Sequence, residues 1–153
     1  MIFRLKTTLL ALVLLGAVLP QSRAEDALLK EAAAISGHVH RVLAGGYWQH
    51  GGKEGFFRTV VMAGGAEHVR HTLYIQWLTV AGSEGRYKVI KTVGVAQIND
   101  HARGYILETN VTYPEFKSLQ IAVTARTGPR DPVTRFVVSA EADGSYLITK
   151  PNR

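Results

Sequence analysis

Histidine is the residue type in this sequence with the widest range of chemistry. Neutral imidazole is a common metal ligand, and its ionisation near neutral pH also suits it to acid–base catalysis. Either role requires several side chains to converge on one point. The six histidines are His38, His40, His50, His68, His71 and His101.

The local spacing of these histidines argues against a metal site. His68 and His71 are three residues apart, which suits a helix, but they lie in a strand-like segment where such positions point to opposite faces. His38 and His40 are two apart, which suits a strand, but their segment is predicted to be helical. If the helix ended at Gly37, His38 and His40 could lie on one strand face and bind a metal ion together. We predict no metal and no cofactor.

Other catalytic signatures are missing from the sequence. The chain has no cysteine, which excludes a thiolate nucleophile, a disulfide and a Cys-ligated metal. No serine lies in a Gly-x-Ser-x-Gly motif, and the Gly-Gly pairs precede strands, not the helix that a phosphate loop requires. The sequence favours a non-catalytic protein, and we assign no catalytic residue.

A glycine-rich hairpin at residues 47–57 is the segment most suited to binding. Its aromatic side chains can pair across the two strands and stabilise the hairpin, at roughly 0.2–1 kcal/mol per pair. Alternatively, aromatic and cationic side chains together form a contact surface for a partner or ligand. The candidate binding residues are Tyr47, Trp48, His50, Lys53, Phe56 and Phe57.

The first 24 residues are typical of a secretory signal peptide. Two basic residues precede an uncharged, Leu-rich stretch at residues 7–19, which is shorter than the roughly 18 residues of a spanning helix. Small residues, Ser22 and Ala24, suit cleavage after Ala24, although an uncleaved anchor is the alternative. Export without cysteine favours the bacterial periplasm. No later segment is apolar enough to span a membrane, so a soluble product is expected.

Signal removal also changes the charge. The whole chain has 18 basic and 12 acidic residues, a net charge of +6. Loss of the basic residues Arg4, Lys6 and Arg23 leaves 15 basic residues against 12 acidic ones, a net charge of +3. Arg86, Lys88 and Lys91 do not share one strand face, so we predict no nucleic-acid partner.

The remaining residues, 25–153, are predicted to form one α+β domain that is mostly β. Apolar residues at helical spacing predict a helix over residues 25–43, unless Gly37 ends it. Short β-branched and aromatic runs then predict a meander of seven to eight antiparallel strands, a strongly bent sheet or a barrel-like structure. The predicted strands are residues 47–50, 56–63, 67–80, 86–99, 105–113, 117–126, 133–141 and 146–149.

Three functions are compatible with this pattern. The first is an exported binding domain for a protein, peptide or envelope component, which it would contact through a strand edge or the aromatic hairpin. The second is a barrel that carries a small apolar ligand among residues such as Leu73, Ile75 and Trp77. A histidine-dependent metalloenzyme is the third.

Overall fold

A computed structural model describes residues 29–82, 86–112 and 118–151. The predicted signal peptide, its cleavage site and the first residues of the predicted helix lie outside these ranges. Contacts divide the chain into residues 1–35 and a larger unit, residues 36–153. Within the first unit, residues 29–33 are helical.

In the described part of the larger unit, eight antiparallel strands form two four-stranded sheets, each in simple chain order. The mostly β prediction and the strand number are confirmed. The barrel-like alternative is wrong, because the described strands form no closed barrel. The N-terminal sheet contains β1 (Val39–His50), β2 (Lys53–Gly64), β3 (Arg70–Ala81) and β4 (Arg86–Gly94). The C-terminal sheet contains β5 (Ile106–Thr112), β6 (Leu119–Arg126), β7 (Thr134–Ala140) and β8 (Tyr146–Thr149).

The predicted helix over residues 25–43 is wrong in its second half. Beyond Gly37 the chain is extended, and β1 begins at Val39 and pairs along its length with β2. The β-branched residues Val39 and Val42 favour this pairing, and a glycine inside a helix costs about 1 kcal/mol. Pairing with a neighbouring strand therefore outweighs the apolar periodicity of the segment.

The β1–β2 turn is shorter than the gap between the predicted strands 47–50 and 56–63. It contains only Gly51 and Gly52, both with positive φ, and His50 pairs directly with Lys53. The β7–β8 turn contains Asp143 and Gly144, and among the described residues only glycines have positive φ. Asp143 and Gly144 therefore do not form a type I′ turn, which needs positive φ at both central residues.

The strand predicted over residues 86–99 ends early, at Gly94. A short helix, Ala96–Asn99, follows it. The pairing of β3 with β4 contains a register shift beside Trp77 and Leu78, which leaves Ile90 as the extra residue. A bulge of this kind bends its strand locally and increases the twist of the sheet.

One hydrophobic core contains side chains from both sheets. Trp77 of β3 is buried in this core in ring contact with Phe57 of β2, and its indole N–H donates to the carbonyl of Glu141 at 2.9 Å. In β6, alternate residues are buried as their pattern predicts: Leu119, Ile121, Val123 and Ala125. One face of each sheet therefore packs in the core, and the opposite face is available for contacts with other molecules.

Candidate functional site

Strand alternation divides the aromatic hairpin residues between two faces. Trp48 and Phe57 point into the core, where they are 2% and 0% exposed. Tyr47 and Phe56 are directly paired on the opposite face of the N-terminal sheet, which we call the outer face. A contact surface on this hairpin therefore does not include the side chains of Trp48 and Phe57.

Three aromatic rings meet on the outer face. Phe56 packs edge-on against Tyr47 and Tyr87, with ring centroids 6.1 and 5.7 Å apart. We call Tyr47, Phe56 and Tyr87 the aromatic cluster. Phe56 is 40% exposed and Tyr87 is 59% exposed, and the exposed side chains of Val80 and Val89 continue the apolar surface. Such a contiguous exposed apolar surface is typical of an interaction site.

A row of polar side chains crosses the middle of the outer face. The Nε of Arg58 donates to Oε1 of Gln76 at 2.7 Å, and Nε2 of Gln76 donates to Oγ1 of Thr92 at 3.3 Å. These residues lie opposite one another on β2, β3 and β4, so their side chains share one face. We call them the polar row. It separates the aromatic cluster from a second apolar region.

Two concavities lie on either side of the polar row. The smaller, about 270 Å³, is lined by residues that include Phe56, Leu78 and Tyr87. The larger, about 520 Å³, is lined by residues that include Val60, Met62 and Tyr74. The outer face thus offers two mainly apolar depressions with hydrogen-bonding groups between them.

Basic groups predominate around these depressions. Arg58 lines the smaller depression, and Arg70 and His38 line the larger one. On the same face Glu54 lies at the hairpin end and accepts a hydrogen bond from the hydroxyl of Tyr47. The hydrogen bond to Glu54 raises the pKa of Tyr47, and burial and the negative charge of Glu54 raise it further. The lining therefore has a positive electrostatic character.

The other two candidate residues, His50 and Lys53, are exposed at the hairpin turn, where they pair. The pKa of Asp143 in the β7–β8 turn is lowered mainly by hydrogen bonds from the Ser145 hydroxyl and backbone N–H, and the electrostatic effects of His50 and Lys91 lower it further. Neither residue is among those that line the two depressions.

Two histidines are in contact, but no third ligand joins them among the described residues. His38 lies on the outer face, with Nδ1 3.1 Å from the carbonyl of Ala63. His40 lies at a register shift in β1, and its ring contacts that of His71, not that of His38. The centroids of the two rings are 4.4 Å apart. Within residues 29–82, 86–112 and 118–151, no three histidine or carboxylate groups are placed to hold a metal ion. This arrangement offers no support for the metalloenzyme hypothesis.

His71 is a buried structural residue that spacing alone does not reveal. The Nδ1 atom of its ring accepts a hydrogen bond from the backbone N–H of Leu107 at 3.0 Å. The backbone N–H of His71 donates to the carbonyl of Tyr105 at 2.6 Å. Burial lowers the pKa of His71, and the neighbouring His40 lowers it further. A protonated Nδ1 cannot accept a hydrogen bond, so the contact with Leu107 requires the neutral ring.

Comparison with protein-family models, curated proteins and solved structures found no match for this chain. Its function must therefore be argued from its own residues. No helix in the described ranges is long and apolar enough to cross a membrane. Leu73, Ile75 and Trp77, which the carrier hypothesis places around a ligand, are packed side chains of the core.

Sequence reasoning did not identify most of the outer face. Tyr87, Val80 and Val89 are far from the hairpin in sequence, and only the pairing of β2, β3 and β4 brings them beside Phe56. Leu78 pairs with Phe56 on one side and with Val89 on the other, and the pairing with Val89 depends on the bulge at Ile90. The residue pattern of β4 does not indicate the position of this bulge.

Proposed function

We propose that this protein is an exported, non-catalytic binding domain whose outer face holds an extended segment of another protein. The observation that carries the proposal is the aromatic cluster, where two of three touching rings are 40% and 59% exposed. Aromatic side chains bury a large area on binding and are common among the residues that dominate binding energy.

The two depressions indicate how such a segment would lie. An extended chain directs alternate side chains to one side, and these would enter the depressions on either side of the polar row. The polar row supplies hydrogen-bonding groups to the intervening backbone. A rigid strand framework keeps the ordering cost of the binding surface low.

The charges around the depressions suggest the composition of the partner. Arg58 and Arg70 flank the apolar surface, whereas Glu54 is engaged by Tyr47. A partner segment with apolar or aromatic residues interrupted by acidic residues is complementary to this surface. A strongly basic segment would be repelled.

Selection from a displayed library of random peptides tests the proposal. The mature protein is the bait, and the selected peptides are then measured against Tyr87→Ala and Leu147→Ala. Tyr87 and Leu147 are 59% and 62% exposed, so the two substitutions remove similarly exposed apolar side chains. Leu147 lies on β8 of the other sheet, which makes its variant the matched control.

We expect selected peptides to combine apolar and acidic residues and to bind Tyr87→Ala at least about tenfold more weakly, as for an interface hot spot. Binding to Leu147→Ala should equal that of the wild type. Failure to select any peptide, or equal loss in both variants, contradicts the proposal. Peptides enriched in basic residues would contradict its electrostatic part.

A further inference from the structure

A cavity separate from the outer face lies between the short helix and β8. Its volume is about 350 Å³, within the ~300–1,000 Å³ range of small-molecule sites. The side chains of Phe136 and Ile148 give it an apolar portion. Its polar lining comes from Gln97, His101, Thr149 and Lys150.

Ring stacking builds one wall of this cavity. The imidazole of His101 stacks on Tyr105 with centroids 4.0 Å apart, and Tyr105 packs edge-on against Phe136 at 6.1 Å. The Nδ1 atom of His101 is buried without a hydrogen-bond partner among the described residues. The imidazole is therefore held in place by stacking on Tyr105 and not by a hydrogen bond to its Nδ1 atom.

Two groups in the cavity are oriented as donors. The Nζ of Lys150 lies over the ring of Phe136, 5.5 Å from its centroid, a cation–π contact that favours this position of the ammonium group. The hydroxyl of Tyr146 accepts the backbone N–H of Ala96 at 3.0 Å and donates to Oε1 of Gln97 at 2.9 Å. The Oε1 atom of Gln97 is thus engaged by Tyr146, and its NH₂ group is the part of this lining residue that can donate a hydrogen bond to a ligand.

The charged and polar groups that line the cavity favour a negatively charged ligand. None of the described lining residues is acidic, whereas Lys150 is positively charged and Gln97, His101 and Thr149 can each donate a hydrogen bond. Anions are bound best where a fixed positive charge and oriented donors meet. Phe136 and Ile148 suit a ligand that also has an apolar body.

We propose that this cavity is a binding site for a small organic anion, with its carboxylate at Lys150 and Gln97 and its apolar body against Phe136 and Ile148. The site is independent of the outer face, because the two share no lining residue. A ligand there would contact the short helix, β7 and β8 together.

Nuclear magnetic resonance titration of the isotope-labelled mature protein tests this assignment. The probes are benzoate, neutral benzamide of nearly the same shape, and inorganic phosphate. We expect millimolar benzoate to shift the resonances of His101, Thr149 and Lys150, with benzamide and phosphate each binding at least about fivefold more weakly. No shift with benzoate, or equal binding of benzamide, overturns the proposal. Equal binding of phosphate overturns the apolar part of the site.

A pair of variants tests whether the ammonium group of Lys150 binds the carboxylate. Lys150→Met keeps most of the side-chain volume and removes the ammonium group, and we expect it to weaken benzoate about fivefold while leaving benzamide unchanged. Lys53→Met, at the exposed β1–β2 turn, is the control and should bind benzoate as the wild type does. Equal affinity in wild type and Lys150→Met would remove Lys150 from the site and contradict the assignment.

Discussion

The side-chain amide of Asn99 pairs with the backbone of Leu73 in the manner of a neighbouring strand. Its Oδ1 accepts the N–H of Leu73 at 2.8 Å, and its Nδ2 donates to the Leu73 carbonyl at 3.1 Å. Beyond Leu73 along the same edge of β3, His71 pairs with Tyr105 beside β5. Asn99 therefore covers the edge of β3 between the end of β4 and the C-terminal sheet.

Asn99→Ala should destabilise the protein by about 1–3 kcal/mol, because it leaves the part-buried N–H of Leu73 without its acceptor. Urea denaturation measures the free energy of unfolding. Asn110→Ala is the control, since Asn110 is exposed and its side chain accepts a hydrogen bond from the N–H of the next residue, so its effect should stay within about 0.5 kcal/mol. Similar losses in both variants would contradict the strand-like role of Asn99.

Stability should fall as the pH drops below the ordinary histidine value of 6.5, because the pKa of His71 is lowered in the folded protein. The unfolded chain then takes up a proton at a pH where folded His71 does not, so acid favours unfolding. His71→Asn keeps an acceptor near the position of Nδ1 but does not titrate, and should therefore show a smaller loss of stability on acidification.

Urea midpoints between about pH 8 and about pH 5, on either side of the ordinary histidine pKa, measure this dependence. His50→Asn, at the exposed hairpin turn, should retain the full pH dependence of the wild type. The assignment to His71 fails if His71→Asn keeps the wild-type slope, or if His50→Asn is the variant that loses it.

At Gly55 the backbone of β2 lies close to that of β3. A Cβ atom at this position would be 1.7 Å from the carbonyl oxygen of Leu78, whereas one at Gly64 meets nothing within 4 Å. Gly55→Ala must shift the backbone and should cost about 1–3 kcal/mol, as overpacking does. Gly64→Ala on the same strand should be close to neutral in thermal and urea unfolding. Equal stability of the two variants would contradict the close approach.

The sequence predicted the parts of this fold that depend on local pattern. Short β-branched and aromatic runs marked the strands, and glycines marked the hairpin at residues 47–57, because these signals require only neighbouring residues. It failed where a distant partner decides the structure. Pairing with β2 makes residues 39–43 a strand, and contacts of Asn99 with Leu73 accompany the end of β4 at Gly94.

The candidate site was predicted only in part for the same reason. Tyr47 and Phe56 are on the outer face, but the alternation of the strands directs Trp48 and Phe57 to the core. Tyr87 joins them only through the register of β3 with β4. Gln97 and Lys150 lie 53 positions apart in the chain and share a cavity that no local pattern indicates.

Photo-cross-linking in the organism that makes the protein tests the outer-face proposal most directly. A photoreactive phenylalanine analogue replaces Tyr87 in one version and Leu147, the equally exposed position on β8, in another. We predict a discrete adduct from position 87 whose cross-linked segment, identified by mass spectrometry, contains apolar and acidic residues, and no adduct from position 147. An adduct from position 147 alone, or none from position 87, would contradict the outer face as the binding surface.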